Sequence, residues 1–526
     1  MQYHECIEYS TRTEIVMLQG APNKIGRARP RLLTTGGYFL VSLGTPHVIL
    51  NLMTRLTCDV FICGAGITGV AAAYFLSRLG VKNILLADER PPLSLTSDRS
   101  AECYRNWWPD ASMLGLMNRS IDWLEKLADE SGNVFQLNRR GYLYLTADPE
   151  KKPALTSRAQ RTSALGAGPL RIHNFETSSY QPAAPDGFHD QPDGADLLLD
   201  PALIHKIFPH LSEKVVAALH VRRAGWLSAQ QLGMYLLDQA RSREVRYLQA
   251  RVTGMEMNGE RIQAARLSNG DEVEAGKYVI AAGPFLREVG RMFGLEIPVA
   301  TELHQKAAIR DNLGIVPRQA PLLIWDDPQA LPWRDDERMD LAGDDETRWL
   351  TDPFPSGVHA RPEGSGDSQT ILMLWEYQTW PTEPVNGWGV QLPTDKRGEG
   401  QMDMREPAWP PRLDERFPEI ALRGLATMLP GMRGYFDKIP RPQLDGGYYT
   451  RTRENRPLVG PLPVKNAYVI GAVSGYGIMS ACGTGELLAA HVASQELPPY
   501  APAFMLERYN DVEYLKQITN MDSGQL

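Results

Sequence analysis

Two stretches concentrate side chains that can do chemistry. In "YYTRTRENRPLVG", Tyr449, Arg451, Arg453 and Arg456 fall close together. A guanidinium grips a carboxylate through two parallel hydrogen bonds, which a lysine does less well. Arg451 is therefore a candidate for holding a substrate carboxylate, with Tyr449 beside it. The other reading is a basic surface turn, or arginines paired with Glu454. In "TSDRSAECYRNWWPD", residues 96–110, a Thr-Ser pair is followed by arginines, carboxylates, Cys103, Tyr104 and two adjacent tryptophans. Tyr104, Arg105, Trp107 and Trp108 can wall a cavity for an amine, because aromatic faces attract cations. Alternatively, Trp107 and Trp108 pack at a domain junction. Cys103 has no sequence partner that marks it as a nucleophile. The five cysteines form no C-x-x-C pair and no metal-ligand spacing, so a reducing compartment and no metal are expected.

These side chains need a frame, and the frame begins at Asp59. "DVFIC" reads as a short buried strand, "TGVAAAYFLSRLG" as a helix ending at Gly80, and "NILLAD" as a second buried strand. Between the first two, "GAGITG" sets Gly64, Gly66 and Gly69 in G-x-G-x-x-G spacing. Gly64 permits the tight turn, Gly66 lets backbone approach a pyrophosphate, and Gly69 lets helix and strand pack closely. Ile67 and Thr68 open the helix, whose free N–H groups suit phosphate. Asp88 lies 19 residues after Gly69, close to the roughly 20 expected of the acid that holds a ribose hydroxyl, and Glu89 is the second candidate. The acid disfavours the 2′-phosphate of NADP.

The glycine turn does not choose between FAD and NAD. Two later segments bear on it. "YVIAAGP" is a buried strand ending in small residues. "VIGAVSGYGIMSACGTGELLAAHV" is a strand, then Gly471, Gly475 and Gly477, then an apolar helix. A second helix N-terminus, delivered from the far end of the chain, suits a long ligand touched at both ends. In a flavin it could stabilise the anionic region of the reduced ring. The plain alternative is a glycine-rich loop packing two helices.

With these blocks in order, the chain resembles the FAD-dependent oxidoreductases of the D-amino-acid oxidase / sarcosine oxidase superfamily. The resemblance rests on "DVFICGAGITGVAAAYFLSRLGVKNILLAD", "TSDRSAE", "AGWLSAQQL", "VTGMEMNGERIQAARLSNGDEVEAGKYVIAAGPFLREV" and "GGYYTRTRENRPLVGPLPVKNAYVIGAVSGYGIMSACGTGELLA". It spans residues 59 to about 495 and is faint over about 310–440. It implies an α/β fold with a discontinuous, glutathione-reductase-like Rossmann domain for FAD and a second α+β substrate domain on a mainly antiparallel sheet. It also implies hydride transfer from a C–H beside an amine to flavin N5, an imine product, and O2 reduced to H2O2. By family position Thr96, Ser97, Arg99 and Ser100 would line the cofactor. Val252 would meet the adenine, Ala282 and Gly283 the pyrophosphate or ribityl chain, and Gly475, Gly477, Ile478 and Met479 the pyrimidine edge. Lys306, in "LHQKAAIRD", would place a cation near N5 to favour O2 reduction, or be an exposed strand residue; His304 shares that doubt. Some relatives bond the flavin through a cysteine where this chain has Gly447, others through a histidine where it has Asp98, Arg99 and Ser100. Non-covalent FAD is the expectation, with Cys103 as an unusual link otherwise.

A chain of 526 residues exceeds one compact core. The expected division is 56–135, 215–300 and 440–526 for the FAD domain, and 136–214 and 301–439 for the substrate domain. Residues 1–55 read as an extension, disordered or dispensable, with an Arg-rich, acid-poor stretch that could instead be a mitochondrial transit peptide; otherwise a cytoplasmic protein is expected. Residues 163–200 and 327–412, rich in Pro, Gly and acid, read as long surface loops. The net charge of −8 argues against a nucleic-acid partner. No stretch is long and apolar enough for a membrane span. The partners expected are an amine or amino acid and O2. Other readings are a dehydrogenase passing electrons to a quinone or protein, a non-catalytic flavoprotein scaffold, or an NAD enzyme.

Overall fold

The computed structural model describes residues 54–364, 366–377, 407 and 409–518, with the backbone of short strands at Leu32–Thr35, Tyr38–Val41, Val48–Leu50 and Trp380–Pro381. The expectations for the N-terminal extension, and for 382–406 of the second loop region, lie outside the described residues.

The first strand, Arg55–Cys63, is fully apolar from Val60 because both faces of its sheet are covered. It pairs in parallel with Ile84–Asp88 on one side and Glu272–Ile280 on the other. Arg246–Gln249 and Ala467–Gly471 extend the parallel sheet outward. The antiparallel hairpin Val252–Asn258 and Arg261–Leu267 leaves the same edge of Glu272–Ile280. The helix Ile67–Arg78 lies on this sheet, and the long C-terminal helix Gly477–Val492 lies against it. A methyl group on Gly485 would sit 2.9 Å from Ala71 Cβ, so the two helices meet nearly backbone to backbone. This contact brings two helix N-termini to one place. The glycine turn has its own steric demand: Gly64 has φ +110°, and a Cβ on Gly69 would stand 1.9 Å from Gly64 O. The third glycine therefore serves packing.

The second sheet is mainly antiparallel, as expected. Its strand order runs Gln443–Arg451, Ala300–Arg310, Thr370–Leu374, His359–Glu363, Leu322–Trp325, Tyr142–Thr146, Ala217–Val221, Ala195–Leu198, Leu170–His173. The helix Phe417–Met428 closes a separate apolar core against it. Between Ala300–Arg310 and the outer strand Gln443–Arg451, Glu302 faces Tyr449, His304 faces Gly447 and Lys306 faces Asp445. Side chains alternate along a strand, so the five side chains among these residues share one face of the sheet.

Two expectations need correction. The supposed loops 163–200 and 327–412 supply strands Leu170–His173, Ala195–Leu198, His359–Glu363 and Thr370–Leu374 and the helix Asp335–Gly343. Runs of four or five residues such as "TILML" are diluted in a long window by the surrounding Pro, Gly and acid. Sheet membership also shifts the expected division: Ala217–Val221 and Gln443–Arg451 belong to the second sheet.

Candidate functional site

A cavity of about 340 Å³ runs along the ends of the parallel strands. It starts at Asp88, Glu89, Arg251 and Val252, passes Gly64, Gly66, Ile67 and Thr68, and reaches Ala282, Gly283, Gly475, Gly477 and Ile478. Thr96, Ser97 and Ser100 wall it from the segment after the second strand. Neither helix that opens on it, Ile67–Arg78 or Gly477–Val492, has a side-chain cap or an acid in its first turn. By contrast Asp110 and Ser228 cap Ala111–Ser131 and Ala229–Arg241. Apart from the Ile67 amide, which Ser97 Oγ accepts, these N-termini keep their N–H groups and positive dipole ends for an anion. Thr450 Oγ1 is buried in the cavity wall with no hydrogen-bond partner. Such an orphan fits a polar ligand. Ala472 and Ser474, also in the wall, hold left-handed φ of 54° and 42°, a strain that clusters at ligand sites.

Asp88 does more than wait for a ribose. Its Oδ2 accepts the Ala65 amide at 2.8 Å and its Oδ1 the Arg90 amide at 3.0 Å, which ties the glycine turn to the second strand. Each oxygen keeps acceptor capacity for a hydroxyl. Burial raises its pKa, against those two bonds. Ser97 Oγ accepts the Ile67 amide at 3.0 Å, and Thr96 donates to Tyr448 O at 3.2 Å. This arrangement fits FAD: two dipole ends, a glycine cradle and an acid in line.

A smaller cavity, about 70 Å³, shares Tyr449 and Gly475 with the larger one. Its other walls include Cys103, Arg105, Trp108, Tyr142, His304, His359, Trp375, Glu376, Tyr476 and Met479. A Cβ on Gly475 would strike the Tyr449 ring at 2.5 Å, so only glycine lets this ring lie across the loop. Tyr449 stacks on His304, centroids 3.9 Å apart. Arg105 is buried, lies 4.5 Å over the Trp108 ring, and donates to Trp107 O. Burial, and then Glu376, pushes the Tyr449 hydroxyl far up; burial also raises Tyr142, Tyr476 and the Cys103 thiol. Burial lowers His359, whose Nδ1 faces Gly357 O at 2.7 Å.

The expected residues separate accordingly. Of the cofactor set, Gly69, Arg99 and Met479 do not line the larger cavity. Gly69 packs helix on strand, Arg99 pairs with Asp445 at 3.1 Å, and Met479 lines the smaller cavity. Of the catalytic set, Tyr449 and Arg105 reach the smaller cavity. Trp108 is also in its wall, while Trp107 is packed in the core. Lys306 and Arg451 line neither. Lys306 Nζ donates to Ser100 O at 2.7 Å, and burial lowers its pKa despite Asp445. Arg451 bonds Glu302 Oε1 at 2.5 Å, because strand register sets it beside that buried acid; Glu454 is taken by Arg508 instead. Sequence reading missed Trp375 and Glu376, whose one signal is the apolar run "TILML" ending in Trp-Glu.

Arg451→Met is thus expected to cost stability more than turnover. Burial opposes ionisation of Glu302, but His304 and Arg451 outweigh it and hold its carboxyl below the ordinary 4.5. Removing one partner of a buried pair costs about 3–5 kcal/mol, and Arg451 is 27% exposed, which favours the lower end. A group with a depressed folded pKa stabilises above its unfolded pKa and loses that contribution as pH falls through the folded one. Chemical denaturation from pH 7 to 3 should therefore show the wild-type advantage over the variant shrinking below about pH 4.5. A constant gap would assign Arg451 another role.

Comparison with known proteins places this geometry. A family model described as FAD dependent oxidoreductase, DAO, matches residues 59–491. The mitochondrial dimethylglycine dehydrogenase of Rattus norvegicus is 24% identical over 447 residues, 84% of this chain and 43% of that protein. The chain thus spans less than half the length of this curated relative. Among solved structures, L-proline dehydrogenase from P. horikoshii superposes with TM-score 0.63 at 16% identity, covering 89% of this chain and all of the other. Glycine oxidase from Geobacillus kaustophilus superposes with TM-score 0.62 at 16% identity, covering 86% and 98%. At these identities the structures speak for the fold. Among the described residues, no helix is long and apolar enough to cross a membrane, and no cluster of His, Cys, Asp and Glu could hold a metal ion.

Proposed function

The chain belongs to the DAO family of FAD-dependent oxidoreductases, and on that premise we propose that it oxidises the C–N bond of an amino acid, with the smaller cavity as the substrate site. The observation that carries this reading is the shared wall: Tyr449 and Gly475 face both cavities, so a small molecule in one lies against whatever fills the end of the other. When bound, FAD supplies a two-electron acceptor for hydride from the carbon beside the amine, and O2 then takes the electrons to give H2O2. The imine left behind hydrolyses in water.

The protein's own groups do the positioning. Arg105 presents a desolvated guanidinium for the substrate carboxylate. Glu376 offers the opposite charge for the amine, and Trp108, Tyr142, Trp375, Tyr449 and Tyr476 exclude water around it. The raised tyrosines and Cys103 keep their protons at neutral pH, so they donate hydrogen bonds and do not act as bases. FAD is held without a covalent bond in this reading. Among the described residues lining the larger cavity there is no histidine, and its cysteine, Cys63, is a thiol pushed up to about 12 by burial. The Lys306 amine is engaged with Ser100 O, so it supports the neighbouring wall.

The purified protein should be yellow, and acid precipitation should leave the flavin in the supernatant. Anaerobic titration with free and N-methylated amino acids should bleach the 450 nm band of a flavin, and air should restore it with release of H2O2. Bleaching that only a quinone or protein acceptor reverses would move the assignment to a dehydrogenase. A colourless protein, or one that no amine bleaches, would overturn it.

A further inference from the structure

The wall between the two cavities is residues 100–103: Ser100 lines the larger cavity, and Ala101 and Cys103 line the smaller. Within it the Glu102 amide donates to Ser100 Oγ at 2.9 Å and the Cys103 thiol donates to Ala101 O at 3.1 Å, while Glu102 O accepts the Leu227 amide at 3.1 Å. Glu102 has φ 64°, an uncommon value for a side-chain-bearing residue, and the chain bends there. The bend is also held from the second sheet by two cations, the half-buried Lys306 and the buried Arg361, acting on consecutive carbonyls. Lys306 Nζ donates to Ser100 O at 2.7 Å. Arg361 donates to Ala101 O twice, from Nη2 at 2.8 Å and Nε at 3.2 Å.

Arg361 is 0% exposed, so its charge must be balanced where it lies. Glu363 Oε2 is 2.7 Å from Nη2 and Glu102 Oε2 is 3.5 Å away. The guanidinium also lies 5.2 Å over Trp226, and Nη1 donates to Pro362 O at 3.1 Å. Glu102 in turn accepts the Ala229 amide at 2.8 Å, at the start of the helix Ala229–Arg241. Lys306 is balanced by Asp445, 3.9 Å away, which also binds Arg99. A carbonyl needs no charged donor merely to be satisfied. Two desolvated cations on adjacent carbonyls cost the fold much and fix this bend to the strands His359–Glu363 and Ala300–Arg310.

We infer that Arg361, assisted by Lys306, is a positioning residue for the substrate cavity: its two-point grip on Ala101 O sets the wall against which the substrate lies. The inference rests on the smaller cavity being the substrate site. A fork that reaches one carbonyl oxygen twice while lying within 3.5 Å of two carboxylates has no equivalent in lysine, so charge alone does not replace it.

The experiment compares wild type, Arg361→Lys and Glu363→Gln as FAD-loaded proteins. Glu363→Gln loosens the same grip while leaving Arg361 in place, and it serves if Arg361→Lys does not fold. FAD content and melting temperature are measured first. Acetate, a carboxylate that cannot be oxidised, is then titrated and its binding read from the flavin absorbance. Finally kcat and KM are measured with an amino acid that bleaches the wild type. Misplacement by about 1 Å costs on the order of 100-fold in kcat/KM. The expected result is FAD retained, acetate binding weakened at least about tenfold, and a kcat/KM loss of that order expressed mainly in KM. Variants that retain FAD and bind acetate like wild type would overturn the inference. Acetate binding needs no turnover, so it tests the grip even if no amine proves to be a substrate, an outcome that would instead remove the proposed function.

Discussion

Gly66→Ala is expected to give a folded protein that does not retain FAD. The three glycines of the turn differ in what a methyl group would meet. On Gly64 it would lie 2.4 Å from Ala281 O, at φ +110°, and on Gly69 it would lie 1.9 Å from Gly64 O. Both substitutions collide with backbone that cannot yield, so both damage the fold. On Gly66 the nearest atom is Ser97 Oγ at 3.6 Å, an ordinary contact. The protein alone has room for that methyl group. It would project into the larger cavity, beside the N-terminus that has no cap of its own. Overpacking a site that cannot relax costs up to about 3 kcal/mol, or roughly 150-fold in affinity. Circular dichroism and melting of the FAD-free proteins should match wild type for Gly66→Ala and not for Gly69→Ala. Isothermal titration with FAD should then show the loss. Wild-type affinity in Gly66→Ala would mean that the cofactor does not approach the turn at all.

That contrast also explains which parts of this protein are legible in its sequence. The packing role of Gly69 against Gly64 O and the bond from the Ala65 amide to Asp88 lie within one strand-turn-helix-strand unit, which the spacing makes legible, whereas the approach of Ala281 to Gly64 comes from a distant strand. The C-terminal turn, Gly475 to Met479, is similarly local, although its contact with Tyr449 is not. The arginines are a different case. Arg451 and Arg105 are chemically equal in sequence, and local pattern offers no way to rank them. Strand register decides: Glu302 opposite Tyr449 brings Arg451 onto a buried carboxylate, while the bend at 100–103 turns Arg105 into the cavity. Glu376 and Arg361 were hidden for another reason. Arg361 sits on the short strand His359–Glu363 and Glu376 two residues past the end of Thr370–Leu374, inside a segment whose average composition is that of a loop, and both meet residues far away in the chain.

The second large effect follows from that ranking. Arg105→Met should lower kcat/KM for an amino acid by about 2–5 kcal/mol, roughly 30- to 5,000-fold, the usual cost of truncating one partner of a buried, hydrogen-bonded charge pair. Met fills similar volume but gives up the hydrogen bond to Trp107 O, so the melting temperature is measured beside turnover to separate the two effects. Arg105→Lys should recover little. Lysine keeps the charge, but it cannot present a planar fork to a carboxylate or lie flat on the Trp108 ring as the guanidinium does at 4.5 Å. The sharper test is a pair of substrates that differ only in the carboxylate, an N-methyl amino acid and the corresponding N-methyl amine. In the wild type the amino acid should be much the better substrate. In Arg105→Met that preference should collapse, with the slow reaction of the amine left nearly as it was, because the groups facing the nitrogen, Glu376 and the aromatic walls, are untouched. If both substrates lose the same factor, Arg105 only supports the cavity through Trp107 and Trp108, and the carboxylate is bound elsewhere.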